Sequence, residues 1–503
     1  MKYVMGIDLG TSSVKVMISD LTGRIVGEGQ EKYGLISLRP GWAEQSPQVW
    51  WDCTVRAARA AVAEIKEGPS SIAGIGFSGQ MHGLVPLDDT GEPVRNSLIW
   101  ADQRSGAQIQ SLYEKTNRGE MARVTFNAVA PGFLAASLLW MKEQEPENFR
   151  KIETAVFPKD YIRYRLTGKI GTDISDASGS GIFDAVRCQW PEFLESMGLP
   201  AKLFPKVYGS QEIVGEVTAE AAEETGLLCG TPVVCGGGDT PMYCVGNGLI
   251  RPGMLSVNIG TAGQIVGCVD RPCCDEKLRT NTFCLPVPGR WILTGASLNG
   301  GIALDWVRKG ILQIPDYEEM NEMAASVPAG SDGLIFLPYL LGERTPHMDP
   351  YARGVYFGLS INHSRSTMMR AAMEGVAFAL KEALEVLEGV ADFEDTMTAS
   401  GGGARSPVFL QMQADIFGKK IACTDGKEEA GMGACITAAV GLGLYPDFRT
   451  ACGEMVRMLP EMYVPDQERH EIYQEKFELF KEIYQRNKEL FLIQQKGRGN
   501  RDE

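Results

Sequence analysis

Apolar and polar positions change their period several times along the chain. Over residues 3–32 the runs "YVMGIDLG", "SVKVMIS" and "RIVGEG" are broken by "GTSS" and "DLTG". Short apolar runs bounded by turn residues predict three strands of a β-meander. The stretch "SPQVWWDCTVRAARAAVAEIKEG" (46–68) then shows a helical stripe between a Ser-Pro start and a Gly stop. "IAGIGFSG" (72–79) predicts a strand, and "FLAASLLWMKEQEPENF" (133–149) a helix that ends before Pro146. The mix recurs downstream. "SGGGARSPVFLQMQADIFG" (400–418) reads as a glycine turn entering a helix, and "EEAGMGACITAAVGLG" (428–443) as a helix of small residues that lets a neighbouring backbone come close. An amphipathic helix is expected over about 466–495, followed by a frayed tail.

One pattern occurs twice. "IDLGTSS" (7–13) aligns with "VNIGTAG" (257–263), so that Gly10 and Thr11 fall on Gly260 and Thr261, an offset of 250 residues. Two halves opening on the same hairpin suggest a duplicated domain. Alternating strands and helices in both halves predict an α/β protein with a cleft between two domains, divided into residues 1–250 and 251–503. The length of 503 residues accommodates this. A formal net charge of −15 argues against nucleic acid as a partner. No run reaches the roughly 18 apolar residues of a membrane span, and the N-terminal run, broken by Asp8, reads as a strand and not a signal peptide. Twelve scattered cysteines without an export signal predict reduced thiols in the cytoplasm, and Cys268, Cys273, Cys274 and Cys284 match no zinc spacing.

The chemistry concentrates at four glycine-rich turns that follow apolar strands: "DLGTSS", "GGGDT", "NIGTAG" and "SGGGARS". Consecutive amides on a backbone with few side chains form a concave anion site, suited to a polyphosphate. Neither G-x-x-x-x-G-K-[ST] nor G-x-G-x-x-G at the first helix is present. The lone carboxylate Asp239 follows three glycines. It fits the N-cap of the next segment, and it equally fits a base that takes a proton from an attacking hydroxyl. Asp8, at the end of the first strand, is placed to serve a metal. For a small polar second ligand, Gln80, Met81 and His82 of "SGQMHG" and Trp100 and Asp102 of "LIWADQR" are candidates. A structural histidine and a core tryptophan are the competing readings. In "GERTPH", Glu343, Arg344 and His347 suggest a salt-bridge network between domains.

Together these residues resemble the FGGY carbohydrate kinases, and within them the xylulokinase branch most closely. The motifs "GIDLGTSSVKV", "SGQMHG", "LIWADQR", "FPKDYIRYRLTG" with "TDISDASG", "GGGDT", "IGTAG", "FLPYLLGERTPH", "RGVYFGLS", "SGGGARS" and "MGACITAA" carry the resemblance from about residue 3 to 445. It implies two actin-like ATPase (ribonuclease H-like) domains with ATP and sugar meeting in the cleft, and ATP-dependent phosphorylation of a pentulose, D-xylulose to D-xylulose 5-phosphate. The alternatives are a kinase of another ketose or polyol, or a non-catalytic, nucleotide-driven regulator that responds to sugar. Asp239 inherits the role of catalytic base, and Met81 and His82 contact with the sugar, with Gln80, Trp100, Asp102 and Thr240 beside them. Gly10, Thr11, Ser12, Gly260 and Thr261 line the phosphates. Gly402, Gly403 and Ser406 hold the adenosine part, and Asp8 lies near Mg²⁺. The resemblance also suggests a homodimer. Two positions depart from the family. Thr240 stands where Asn is usual, and Ser137 replaces a usual Lys that would supply a surface or cleft charge.

Overall fold

The computed structural model describes residues 2–115, 118–426 and 428–499. The first sheet is built from β1 (Tyr3–Leu9), β2 (Ser13–Asp20), β3 (Ile25–Lys32), β4 (Ile72–Gly79), β5 (Ile213–Glu216) and β6 (Pro232–Val234) in the order β5-β6-β4-β1-β2-β3. The second contains β7 (Leu255–Ile259), β8 (Gly263–Val269), β9 (Asn281–Cys284), β10 (Trp291–Ser297), β11 (Thr396–Ser400), β12 (Lys420–Thr424) and β13 (Met458–Tyr463) in the order β9-β10-β8-β7-β11-β12-β13. Each sheet has an antiparallel meander whose first strand pairs in parallel with a distant strand, β1 with β4 and β7 with β11. The repeat therefore extends beyond the hairpin that the sequence displays.

Eight helices position the site: α1 (Pro47–Glu64), α2 (Pro158–Thr167), α3 (Ile174–Ser178), α4 (Asp239–Gly246), α5 (Arg365–Glu388), α6 (Pro407–Phe417), α7 (Glu429–Gly441) and α8 (Gln467–Gly499). Their ends follow local chemistry. Ser46 caps α1 by accepting from the Val49 amide, and Ser406 caps α6 through the Phe409 amide. The helix expected to end before Pro146 spans Leu134–Gln144, and Pro146 opens a second, short helix, Pro146–Lys151. Ser137 lies in the first of them, buried in the core, so its position is neither surface nor cleft. Helix α8 continues to Gly499, beyond the expected end near 495, and residues 500–503 of the expected tail lie outside the described residues.

Separate apolar cores lie against the two sheets, and a third joins the halves. That third core is built around α4 and α7. A Cβ on Gly433 would lie 1.9 Å from the Met242 carbonyl oxygen, and one on Gly76 2.1 Å from that of Ala434. Glycine here permits helix-to-helix and helix-to-strand contact at backbone distance. Although it comes late in the chain, α7 packs on the first sheet.

Candidate active site

The three glycines before Asp239 are fixed by packing. Gly236 has φ +79°, and a Cβ there would sit 2.6 Å from the Phe77 carbonyl oxygen. A Cβ on Gly237 would meet Ser175 Oγ at 2.6 Å, and one on Gly238 would meet Met81 Cγ at 2.5 Å. Gly237 and Gly238 pair in parallel with Ser78 and Gly79, which brings Asp239 level with the chain that follows β4. The Gly238 amide donates to Ser175 Oγ (3.0 Å), and Ser175 Oγ donates to Asp173 Oδ2 (2.6 Å). Asp173 belongs to a fully buried cluster in which Lys159 Nζ lies 2.6, 3.0 and 3.1 Å from carboxylate oxygens of Asp160, Asp173 and Asp176. A charged plate thus supports the glycine turn from beneath, out of contact with water.

Asp239 is the first residue of α4, and Gly238 is its cap. The cap reading of the sequence gives way because the Asp239 carboxylate folds back onto its own turn, with Oδ1 accepting from the Thr240 amide (2.7 Å) and from Thr240 Oγ1 (3.4 Å). Burial, reinforced by the negative charge of Asp8, pushes its pKa up to about 7. Asp8, next to last in β1, lies opposite Lys15 of β2, and Lys15 Nζ donates to Glu428 Oε2 (2.5 Å) at the start of α7. Burial also raises the Asp8 pKa, and its buried Oδ1 has no hydrogen-bond partner. The two carboxylates, one from each turn of the first half, thus lie near enough for the charge of Asp8 to act on Asp239, and Asp8 Oδ1 keeps unspent acceptor capacity. Among the described residues no group of three or more His, Cys, Asp or Glu side chains could hold a metal ion.

Beside Asp239, Met81 is buried and His82 adopts φ +73°. His82 Nδ1 is 2.7 Å from the Gly179 carbonyl oxygen. Because that oxygen only accepts, Nδ1 carries the proton and Nε2 is left as an acceptor. The ring stacks on Phe133 at 4.1 Å and meets Phe283 of β9 at 5.6 Å. Burial lowers its pKa to about 4, with the Arg344 charge acting in the same direction, so the imidazole is neutral near pH 7. Gln80 is fully buried, and its Nε2 donates to Gln45 Oε1 (2.9 Å). Gln45 Nε2 donates in turn to the Thr11 carbonyl (2.7 Å), and Trp100 Nε1 donates to Thr11 Oγ1 (2.9 Å). Gln80 thus braces the first glycine turn from beneath, and the half-exposed Trp100 covers it from outside. Asp102 is spent on structure: its carboxylate takes the Ala43 amide (2.7 Å) and pairs with Arg104 (2.8 Å). Of the "GERTPH" residues, Glu343 accepts from Ser297 Oγ (2.7 Å) and the Leu298 amide (3.0 Å) and His347 pairs with Glu382 (3.0 Å), all within the second half, whereas the Arg344 charge reaches His82 of the first half.

The second half contributes a pocket of about 430 Å³ that gathers Gly260, Thr261, Gly402, Gly403 and Ser406, five residues separated by up to 146 positions. Its apolar wall includes Ile302, Leu304, Met320 and Phe409, and Tyr317, Asn321 and the charged Asp305 and Arg405 also line it. The Gly301 amide donates to the Gly260 carbonyl (2.8 Å) and holds the turn in shape. Ser406 Oγ caps α6 and donates to Asn321 Oδ1 (2.7 Å). Asn321 gave no signal in the sequence, being one polar residue in an ordinary amphipathic helix.

Comparison with known proteins gives the arrangement a context. Residues 3–246 match the N-terminal domain, and residues 255–442 the C-terminal domain, of the FGGY family of carbohydrate kinases. The chain is 35% identical to a xylulose kinase of Bacillus subtilis (strain 168) over 92% of this chain and 93% of that one. It superposes on ligand-bound xylulose kinase from Lactobacillus acidophilus with a TM-score of 0.91 at 29% identity, covering 97% of this chain and 98% of that one. It superposes equally on gluconate kinase from the same organism, with a TM-score of 0.90 at 30% identity and coverage of 97% and 98%. The duplicated sheets, the acid on its glycine turn and the two matched domain signatures lead to one conclusion: this chain belongs to the FGGY family of carbohydrate kinases.

Proposed function

We propose that this sugar kinase transfers the γ-phosphoryl group of ATP to the terminal hydroxyl of D-xylulose, giving D-xylulose 5-phosphate and ADP. The observation that carries the reading is Asp239: a carboxylate with its pKa pushed up to about 7, on a glycine backbone between Asp8 and the Met81–His82 wall. A base is most effective when its pKa lies near the working pH. Asp239 accepts the proton of the attacking hydroxyl as that oxygen bonds to the γ-phosphorus and the bond to ADP breaks. In this reading residues 1–250 hold the sugar and residues 251–503 the nucleotide. His82 Nε2 accepts a hydrogen bond from a ketose hydroxyl, and Met81 packs against the carbon chain, with Trp100 and Thr240 nearby. Gly10, Thr11, Ser12, Gly260 and Thr261 present backbone amides and hydroxyls to the phosphates. Gly402 and Gly403 admit the adenosine, and Ser406 holds the start of α6 against it.

The unspent Asp8 Oδ1 fits a divalent cation completed by phosphate oxygens and water, the usual manner of Mg²⁺ in nucleotide sites. Mg²⁺ bound there supplies charge neutralisation for the phosphates. A second substrate class is favoured by one observation: Thr240 provides only a short hydroxyl, already turned toward Asp239, at the position where the family resemblance implies Asn. Another ketose, a polyol or an aldonate such as gluconate then takes the place of D-xylulose. ADP release measured with ATP and Mg²⁺ over pentuloses, hexuloses, polyols and gluconate decides between them by kcat/KM. D-xylulose is expected to rank first. Turnover of none of them would return the chain to the reading of a nucleotide-driven regulator.

A further inference from the structure

Strand β9 is the edge of the second sheet, and its outer side is satisfied by the first half. Asn127, 2% exposed, bonds Thr282 at both of its main-chain groups: its Nδ2 donates to the Thr282 carbonyl (2.7 Å), and its Oδ1 accepts the Thr282 amide (2.8 Å). One side chain thus takes the place of a neighbouring strand. Two positions on, the Cys284 amide donates to Ser178 Oγ at the end of α3 (3.0 Å). Behind it Trp291 Nε1 donates to the Ala185 carbonyl (2.8 Å). Phe283 lies between the two bonded positions, so both of its flanking peptides are pinned to the first half. Its ring, 5% exposed, meets His82, whose ring-stacking and hydrogen-bond partners in the first half are Phe133 and the Gly179 carbonyl, while Arg344 of the second half acts on it by charge.

We propose that Asn127 and Phe283 are positioning residues for ketose recognition, a latch by which the second half orients His82 toward the sugar. Neither residue touches the sugar. Asn127 fixes the height of β9, β9 fixes Phe283, and Phe283 with Phe133 leaves the imidazole one orientation, with Nε2 facing the ligand. The sugar wall is then complete only when the two halves are joined at this edge. This rests on the reading that His82 contacts the ketose.

Steady-state kinetics on the full chain test it through Phe283→Leu, Phe283→Tyr and Asn127→Ala. Loss of one aromatic contact of this kind corresponds to about a tenfold change. Phe283→Leu and Asn127→Ala are expected to raise the ketose KM about tenfold, leave the ATP KM unchanged and hold kcat within about twofold. Phe283→Tyr, which keeps the ring, restores the wild-type ketose KM. A rise of both KM values together, or an unchanged ketose KM in a variant of wild-type Tm, overturns the proposal. If Asn127→Ala does not fold, Phe283→Leu decides alone. An NMR titration of the His82 imidazole separates this outcome from failure of the kinase reading, because it needs no turnover. With Phe133 and Arg344 left in place, Phe283→Leu is expected to move the His82 titration upward from about 4, and an unmoved titration overturns the latch even in a protein that phosphorylates no sugar.

Discussion

The two glycine-turn hairpins share a backbone and differ in charge. In the first half Asp8 lies across from Lys15 and beside Ser78 of the parallel strand. In the second, 250 residues on, Asn258 lies across from Gln264 and beside Ser400, to whose Oγ its amide donates (3.0 Å). An acid–amine pair in one half is an amide–amide pair in the other. The strands that follow diverge in the same way. After Ser78 the chain presents Gln80, Met81 and His82, and after Ser400 it presents Gly401, Gly402 and Gly403. One half supplies side chains and the other bare backbone. The lesson is that duplication copied the scaffold while the side chains diverged: the first hairpin and the strand beside it carry Asp8, Lys15 and the Gln80–His82 run, and their counterparts carry Asn258, Gln264 and bare glycines.

The largest effect is expected where charge is removed from the first half. Asp239→Asn should lower kcat about 10²–10⁴-fold while ADP still binds by calorimetry. Near-normal turnover would remove Asp239 from its role. Asp8→Asn makes the first hairpin resemble the second, and it should weaken Mg²⁺ dependence of turnover about 10–100-fold, read as the metal concentration for half-maximal rate. The pH profile comes next. Since the Asp239 pKa is raised to about 7, the base is protonated below that value, so kcat/KM should fall about tenfold per pH unit below 7 and level off above it. A profile flat down to pH 5 contradicts the assignment. The smallest effects separate packing from ligand approach in the second half. A Cβ at Gly403 would stand 2.8 Å from Ile259 Cβ, so Gly403→Ala should cost about 1–3 kcal/mol of stability, seen as a lower Tm. At Gly402 the nearest atom is 3.7 Å away, so Gly402→Ala should keep its Tm and lose nucleotide affinity alone.

Local sequence carried much of this arrangement. The strand at 72–79, the Ser-Pro helix start at 46, the repeated hairpin and the glycines before Asp239 are visible because each is dictated by residues adjacent in the chain. What escaped depends on contacts between distant residues. Asn127 and Thr282 are 155 positions apart, and nothing in either segment marks a partner. Gln80 and Asp102 stand in motifs that suggest ligand contact; the Gln80 Nε2 goes to Gln45 while its Oε1 has no protein partner, and the Asp102 carboxylate goes to Arg104. Residue type and spacing cannot tell a side chain that faces a ligand from one that braces the turn beneath it. Nor does the small-residue helix α7 declare that its neighbours are β4 and α4 of the opposite half.

The backbone-to-backbone contact between α4 and α7 bears on how such a molecule could work as tongs. Helices pressed together without intervening side chains have little room to slide, and they tie the halves at the place where Asp239 begins α4. A fulcrum travels least when the arms swing. Asp239, the proposed proton acceptor, sits on that still point, so in this reading the two substrates are carried toward it while its own aim is preserved.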